Sequence, residues 1–392
     1  MPDHEPAIPA DRADAADASD LSRTHIVLTT ISDGGFLDRF APALRDSGAR
    51  LTVIPDRNTP PGLFAACERQ RNRGLDVVCP TVEEQQELLD SLGAPELIPY
   101  ASDNRRNVGY LLAWLQEAEV VISMDDDNLP RDPDFVRRHQ VVRQGMRVQP
   151  VTTSATGWFN NCALLKTEPV DVFPRGFPLR HRATYDETAL TTTRQPADVR
   201  VNAGLWLGDP DVDAITRVAV RPEVTAHAGG NAVLGRGTWC PVNSQNTALH
   251  RDALPAYYFL RMGQRVGGGV MERFGDIFSG YFLQACAQHL GHAVRFGDPL
   301  VDHPRNEHDL LDDLTKELPA VRLLDDLLDW LRECPLEGGD YFTAYEALSH
   351  GLQDFAEEAS GPAWTADARA FLHRSAHLMR TWLGVLRVGA GA

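Results

Sequence analysis

Val120, Val121 and Ile122 form a continuous apolar run, and Asp125, Asp126 and Asp127 follow almost at once, with Pro130 just beyond. An apolar run of this kind reads as a strand covered on both faces, as in a parallel sheet. In open α/β sheets ligands collect at the carboxyl ends of the strands. Three adjacent carboxylates placed there repel one another, and a cation relieves the repulsion. Taken alone, three aspartates are commonly a solvated turn. The buried strand in front of them favours a hard divalent ion, Mn²⁺ or Mg²⁺, held together with a diphosphate.

The 392-residue chain has room for one large domain plus an accessory piece. No apolar run approaches the roughly 20 residues that span a bilayer. The N-terminus lacks the basic-then-apolar order of a signal peptide, so the expected location is cytoplasmic. Cys67, Cys79, Cys162, Cys240, Cys286 and Cys334 are scattered, without the close spacing of a zinc or redox motif. A formal charge of −17 argues against a nucleic-acid partner. It also requires that any bound diphosphate be met by local cations, either metal or arginine.

Residues 1–22, rich in Ala, Asp and Pro, are expected to be a disordered tail. A strand over His25–Ile31, a helix from Phe36 to about Ser47 and a strand over Arg50–Ile54 make a βαβ unit. Their loops open on the same edge as the aspartates. Thr30, at the end of the first strand, and Asp56, after the second, are therefore candidates for holding a nucleotide. Asp56 equally suits the turn chemistry of its Asn58 and Pro60 neighbours. Arg105 and Arg106 stand at the start of the apolar helix before the aspartates, where backbone N–H groups and guanidinium groups together suit an anion.

The Pro- and Gly-broken stretch Phe173–Arg182 must be a loop, and its Arg175, Arg180, His181 and Arg182 suit phosphate oxygens. Asp209, Asp211 and Asp213 read as an exposed acidic turn. Asp276, in the first turn of a helix, suits either a cap or a general base. From Leu310 apolar residues recur at three- and four-residue spacing, and strands disappear. The expected division is thus a catalytic α/β domain over 23–309 and a helical subdomain over 310–392, whose apolar stripes could pair copies of the chain.

Taken in order, LTTISDGGFL, ISMDDDNLP, FNNCALL, PRGFPLR, GLWLGDPDVDA, SQNTALHRD, RFGDIFSG and DHPRN resemble the reversibly glycosylated polypeptide and UDP-arabinopyranose mutase family. That resemblance implies a GT-A-like fold and a UDP-sugar substrate. It makes Asp125, Asp126 and Asp127 the family's metal- and UDP-sugar-binding triplet and sets Arg180 opposite its glycosylated arginine. It likens Asp276 to one member of a paired acidic motif, of which Gly275 replaces the other. His303 resembles a late histidine near the metal or diphosphate. The Arg180 segment is one residue shorter than the family's, and Pro304 stands where the family has Ser.

The reading that follows is a metal-dependent glycosyltransferase. Asp125, Asp127 and His303 would hold Mn²⁺ or Mg²⁺, with Thr30, Asp56, Arg105, Asp125 and Asp126 on the nucleotide. Arg180 would steady the leaving diphosphate, and Asp276 would deprotonate an unidentified acceptor. The alternatives are a pyranose/furanose mutase acting on a UDP-sugar and a non-catalytic sugar-nucleotide-binding scaffold. A phosphoryl or nucleotidyl transferase ranks last, since no Walker-type loop is present.

Overall fold

The structure is a computed structural model and describes residues 20–304 and 309–389. Most of the expected N-terminal tail, and Arg305 with its next three residues, lie outside the described residues. Leu21 is buried in the core, so ordered chain begins before the boundary expected at residue 23.

Four parallel strands, β1 (Thr24–Thr30), β2 (Arg50–Pro55), β3 (Val77–Val78) and β4 (Val120–Met124), lie in the order β3-β2-β1-β4. Every residue of β4 is buried, as its unbroken apolar run requires. Between the strands run α1 (Leu37–Leu44), α2 (Gly62–Asn72), α3 (Val82–Ser91) and α4 (Arg106–Leu115). Of these, α2 was not foreseen, because arginine and glutamine interrupt its apolar spacing. Thr81 and Glu84 form a reciprocal capping box that starts α3. A Cβ at Gly109 would stand 2.3 Å from the Val27 side chain, so glycine lets α4 lie directly on β1.

Beyond β4 the sheet becomes mixed, mostly antiparallel. Asn246–His250 pairs with β4, and Leu190–Ala203, Met146–Ser154, Ala232–Leu234 and Ala293–Phe296 complete nine strands. Met146–Ser154 and Leu190–Ala203 pair along a long antiparallel ladder. The result is the mixed α/β layout expected, with a helical C-terminal region.

Under the sheet, His139 is fully buried in a directed network. Arg295 donates to Asn202 Oδ1 at 2.6 Å, which turns the Asn202 amide N–H toward His139 Nδ1 at 3.1 Å. Asn246 donates to the Leu205 and Pro299 carbonyls, leaving its Oδ1 to accept from His139 Nε2 at 3.0 Å. Only the neutral Nε2–H tautomer fits both partners. Burial, with the Arg295 charge adding to it, pushes His139 down to about 3, despite the bond to Asn246.

Helices Leu310–Glu333, Tyr341–Glu358 and Ala366–Gly389 form the C-terminal region. Their apolar faces join the core that surrounds the buried helix Gly275–His289, with Phe371 5.9 Å from Phe278 and Trp382 5.9 Å from Tyr258. Trp114 on α4 donates to the Leu386 carbonyl. The helices are therefore continuous with the α/β core in packing, rather than an appended unit. No described helix is long and apolar enough to cross a membrane.

Candidate functional site

The carboxyl ends of β1, β2 and β4 open onto a cleft of about 350 Å³ lined by Thr30, Asp56, Asn58, Ser102, Arg105 and Asp126, among others. Thr30 Oγ1 donates to Asp126 Oδ2 at 2.5 Å. Burial pushes the Asp126 carboxyl up to about 6, against the lowering effect of that hydrogen bond. Asp56 Oδ1 accepts from the Arg57 amide at 2.7 Å and Oδ2 from the Ser102 amide at 3.2 Å. Those bonds fill about half of the four lone-pair sites of a carboxylate. Arg105 contributes to the wall, but its guanidinium is tied to Gln85 and the Ile98 carbonyl and stacks 4.4 Å from Tyr100. It does not form the open anion site expected of it.

Arg106 instead reaches the aspartates. It donates to Asp125, to Ser123 Oγ at 2.8 Å, to the Met124 carbonyl at 3.0 Å and to the Ser244 carbonyl at 2.9 Å. This buried guanidinium neutralises Asp125 and pins the end of β4 to the neighbouring loop. Asp125 is thus partly neutralised before any metal binds.

A second, polar cleft of about 220 Å³ adjoins the first, with Asp103 lining both. Asp125, Asp127 and His303 all line it. Backbone register explains how residues so far apart in sequence meet. Leu129–Pro130 pairs with Val301–Asp302, which carries His303 back beside the aspartate loop. Val301–His303 also pairs with Trp206–Gly208, setting His303 Nδ1 2.6 Å from the Asp209 carbonyl. With its Nδ1–H donated there, Nε2 faces Asp127 Oδ2 at 3.5 Å. Burial disfavours charge on both partners, but their mutual contact outweighs it: His303 is raised and Asp127 lowered from their ordinary values.

The donor set suits a divalent ion in part. A histidine whose far nitrogen is fixed by a carbonyl is the usual orientation of a metal-ligating imidazole, and a carboxylate lies beside it. Among the described residues, however, no three His, Cys, Asp or Glu side chains form a ready ligand group. A metal here would need oxygen ligands from the substrate or water, as Mg²⁺ often does.

Asp276 also lines the polar cleft, but both of its oxygens are held by Arg175 at 3.0 and 2.9 Å. The same guanidinium grips Asp211 at 2.8 and 3.1 Å, and donates to the Arg273 carbonyl. Asp276 is therefore placed at the site expected of it, yet not free to take a proton as a general base. The supposed exposed acidic turn is corrected as well. Asp211 and Asp213 are buried because Arg175 and Arg182, about thirty residues earlier, come to meet them. Desolvation opposes ionisation of Asp211, but Arg175 and Asn243 overcome it and hold the carboxyl far below its ordinary value.

Arg180 lines neither cleft. It sits on the short helix Leu179–Arg182, half-exposed, with its guanidinium on Asp326 at 3.0 Å and Asp329 at 2.6 Å of the first C-terminal helix. The cation that this loop delivers to the site is Arg175. Arg217 and Arg273 line the polar cleft too and were not singled out from the sequence. Arg273 is held from behind by Glu317 at 2.9 Å. Four arginines line this cleft, but five aspartates line it with them, so a bound diphosphate would still call for a further cation.

A family profile described as "Reversibly glycosylated polypeptide" matches residues 23–385. The "Probable UDP-arabinopyranose mutase 1" of Pisum sativum is 25% identical over 235 residues, which cover 59% of this chain and 58% of that protein. The chain thus spans less than two thirds of the pea relative. "UDP-arabinopyranose mutase 1" of Arabidopsis thaliana is 24% identical over 314 residues, 79% of each chain. Among solved structures, S. aureus TarS 1–349 covers 94% of this chain and 91% of its own, at 10% identity and a TM-score of 0.32, a weak overall likeness.

Proposed function

The chain belongs to the reversibly glycosylated polypeptide family, and from that premise we propose that it is an enzyme that breaks and remakes the anomeric C–O bond of a UDP-sugar. The observation that carries this reading is the pair of joined clefts at the strand ends. One is of nucleotide size with an acceptor at Asp56, and the other is smaller, polar and ringed by arginines. Asp56 has lone pairs left for the N3–H of uracil. Thr30 and Asp126 border the ribose side, and Arg106 and Arg175 stand where the diphosphate would pass between the clefts.

The small cleft accommodates about one sugar ring, and the relatives carry mutase names. Both favour rearrangement of the sugar over transfer to a large acceptor. Mn²⁺ or Mg²⁺ would be held by Asp127 and His303 with Asp125 alongside, supplying positive charge to the leaving diphosphate. Arg106 adds positive charge beside the same oxygens, Arg175 fixes the cleft wall by holding Asp211 and Asp276, and the buried position of His303 limits water there.

The test is calorimetric binding of UDP with and without Mn²⁺, followed by chromatography of a UDP-pentose after incubation. Saturable UDP binding and a second sugar-nucleotide isomer are expected. Asp127→Asn should weaken the Mn²⁺-dependent component of UDP affinity by roughly tenfold or more, the scale of losses at metal-site residues. No affinity for UDP would overturn the proposal. Binding without turnover would leave a sugar-nucleotide-binding scaffold instead.

A further inference from the structure

Of the five aspartates that line the polar cleft, four have a basic side chain against the carboxylate. Asp125 is held by Arg106, Asp127 by His303, and Asp211 and Asp276 by Arg175. Each of these four has at least one carboxylate oxygen turned to a fixed partner rather than toward a bound sugar. Asp103 is the exception. Among the described residues no cation forms an ion pair with it, and the hydrogen bonds to its carboxylate come from its chain neighbours, Ser102 Oγ at 3.3 Å and the Asn104 backbone N–H. It stands in the 3₁₀ turn that leads into α4 and is shared by the nucleotide cleft and the polar cleft. That seam is where the bond between sugar and diphosphate would lie.

Resting on the UDP-sugar reading above, we propose that Asp103 is the catalytic acid and base of the reaction. A hydroxyl of the bound sugar attacks its own anomeric carbon. The bond from that carbon to the β-phosphate oxygen breaks, and its electron pair leaves with UDP. The hydroxyl proton passes to the Asp103 carboxylate. In the return step a β-phosphate oxygen attacks the anomeric carbon of the bridged sugar, the original ring C–O bond breaks, and its oxygen takes the proton back from Asp103. Atoms and charge balance over the cycle, and no outside reactant is consumed.

The surroundings agree with this role. Protein walls crowd the Asp103 carboxyl while leaving it open to solvent. That desolvation, then the carboxylates of Asp276 and Glu272, push it up to about 6, with Arg106 and the Asn104 backbone N–H pulling the other way. A group poised near neutrality can both accept and return a proton.

Asp103→Asn, made in the full chain, separates this role from its alternatives. Its isomerisation rate at saturating UDP-pentose should fall roughly 10²- to 10⁴-fold, while calorimetric UDP affinity stays that of the wild type. Asp103→Glu, which keeps the carboxylate, should recover part of the rate. Wild-type turnover in Asp103→Asn would overturn the assignment. So would parallel loss of UDP binding, which would make Asp103 a nucleotide-holding residue. If the wild type itself neither binds UDP nor isomerises the sugar, the underlying functional reading fails, and this role fails with it.

Discussion

Replacing Arg175 with methionine should cost about 3–5 kcal/mol of folding stability, measured by urea denaturation at neutral pH. The guanidinium lies between Asp211 and Asp276, and all three side chains are almost wholly buried. Removing it strands two carboxylates in a site they share, where each raises the cost of ionising the other. Methionine keeps much of the volume, so a cavity contributes little. The source of the loss is checked by adding Asp211→Asn and Asp276→Asn to the methionine variant. That triple variant should regain a large part of the stability, since the orphaned charges are then gone. If Arg175→Met unfolds at the wild-type urea midpoint, the buried triad is not what holds this part of the fold.

The second large effect is an acid weakness centred on His139. Folding lowers its pKa from 6.5 to about 3, so above pH 6.5 its neutral form costs nothing. As pH falls below 6.5 the unfolded chain takes up a proton that the folded network refuses. Stability is then lost steadily until the folded value is reached. The full loss is on the order of 5 kcal/mol, since each pH unit between the two values is worth about 1.4 kcal/mol. His25, lowered to about 4 chiefly by burial and then by Arg50, acts in the same direction. Asp126, raised to about 6, acts in the opposite one, because its folded form gains a proton first. Comparison with His139→Gln isolates the histidine. Between pH 7 and 4.5, urea-derived stability should fall more steeply in the wild type than in the variant. Parallel slopes would show that His139 is protonated as readily in the folded protein as outside it.

Much of the scaffold was legible because it is local. The apolar run at Val120–Ile122, the βαβ order before it and the helical spacing after Leu310 each depend on neighbours within a few residues. They predicted β4, β1, β2 and the helical character of the C-terminal region. The aspartate loop at the mouth of β4 came with them. What the sequence concealed is the pairing of charges across long separations. Arg175 and Arg180 are equally basic members of one loop, yet one turns into the cleft and the other out to Asp326 and Asp329. Asp211 and Asp213 look like a wet turn until Arg175 and Arg182 are brought to them. Asp103 carried no local mark at all. Its interest comes from the basic partners that the other cleft aspartates have and that, among the described residues, it does not.

Glu317 lies in the first C-terminal helix, where one carboxylate oxygen holds Arg273 and the other accepts the backbone N–H of Ala214 at 2.7 Å. Arg273 forms part of the cleft lining, and its own carbonyl accepts from Arg175. A cut near residue 309 would accordingly remove a strut of the reaction chamber along with the helices. Anyone seeking a minimal working enzyme should trim elsewhere, and changes to the surface of that helix should be judged by their reach into the chamber.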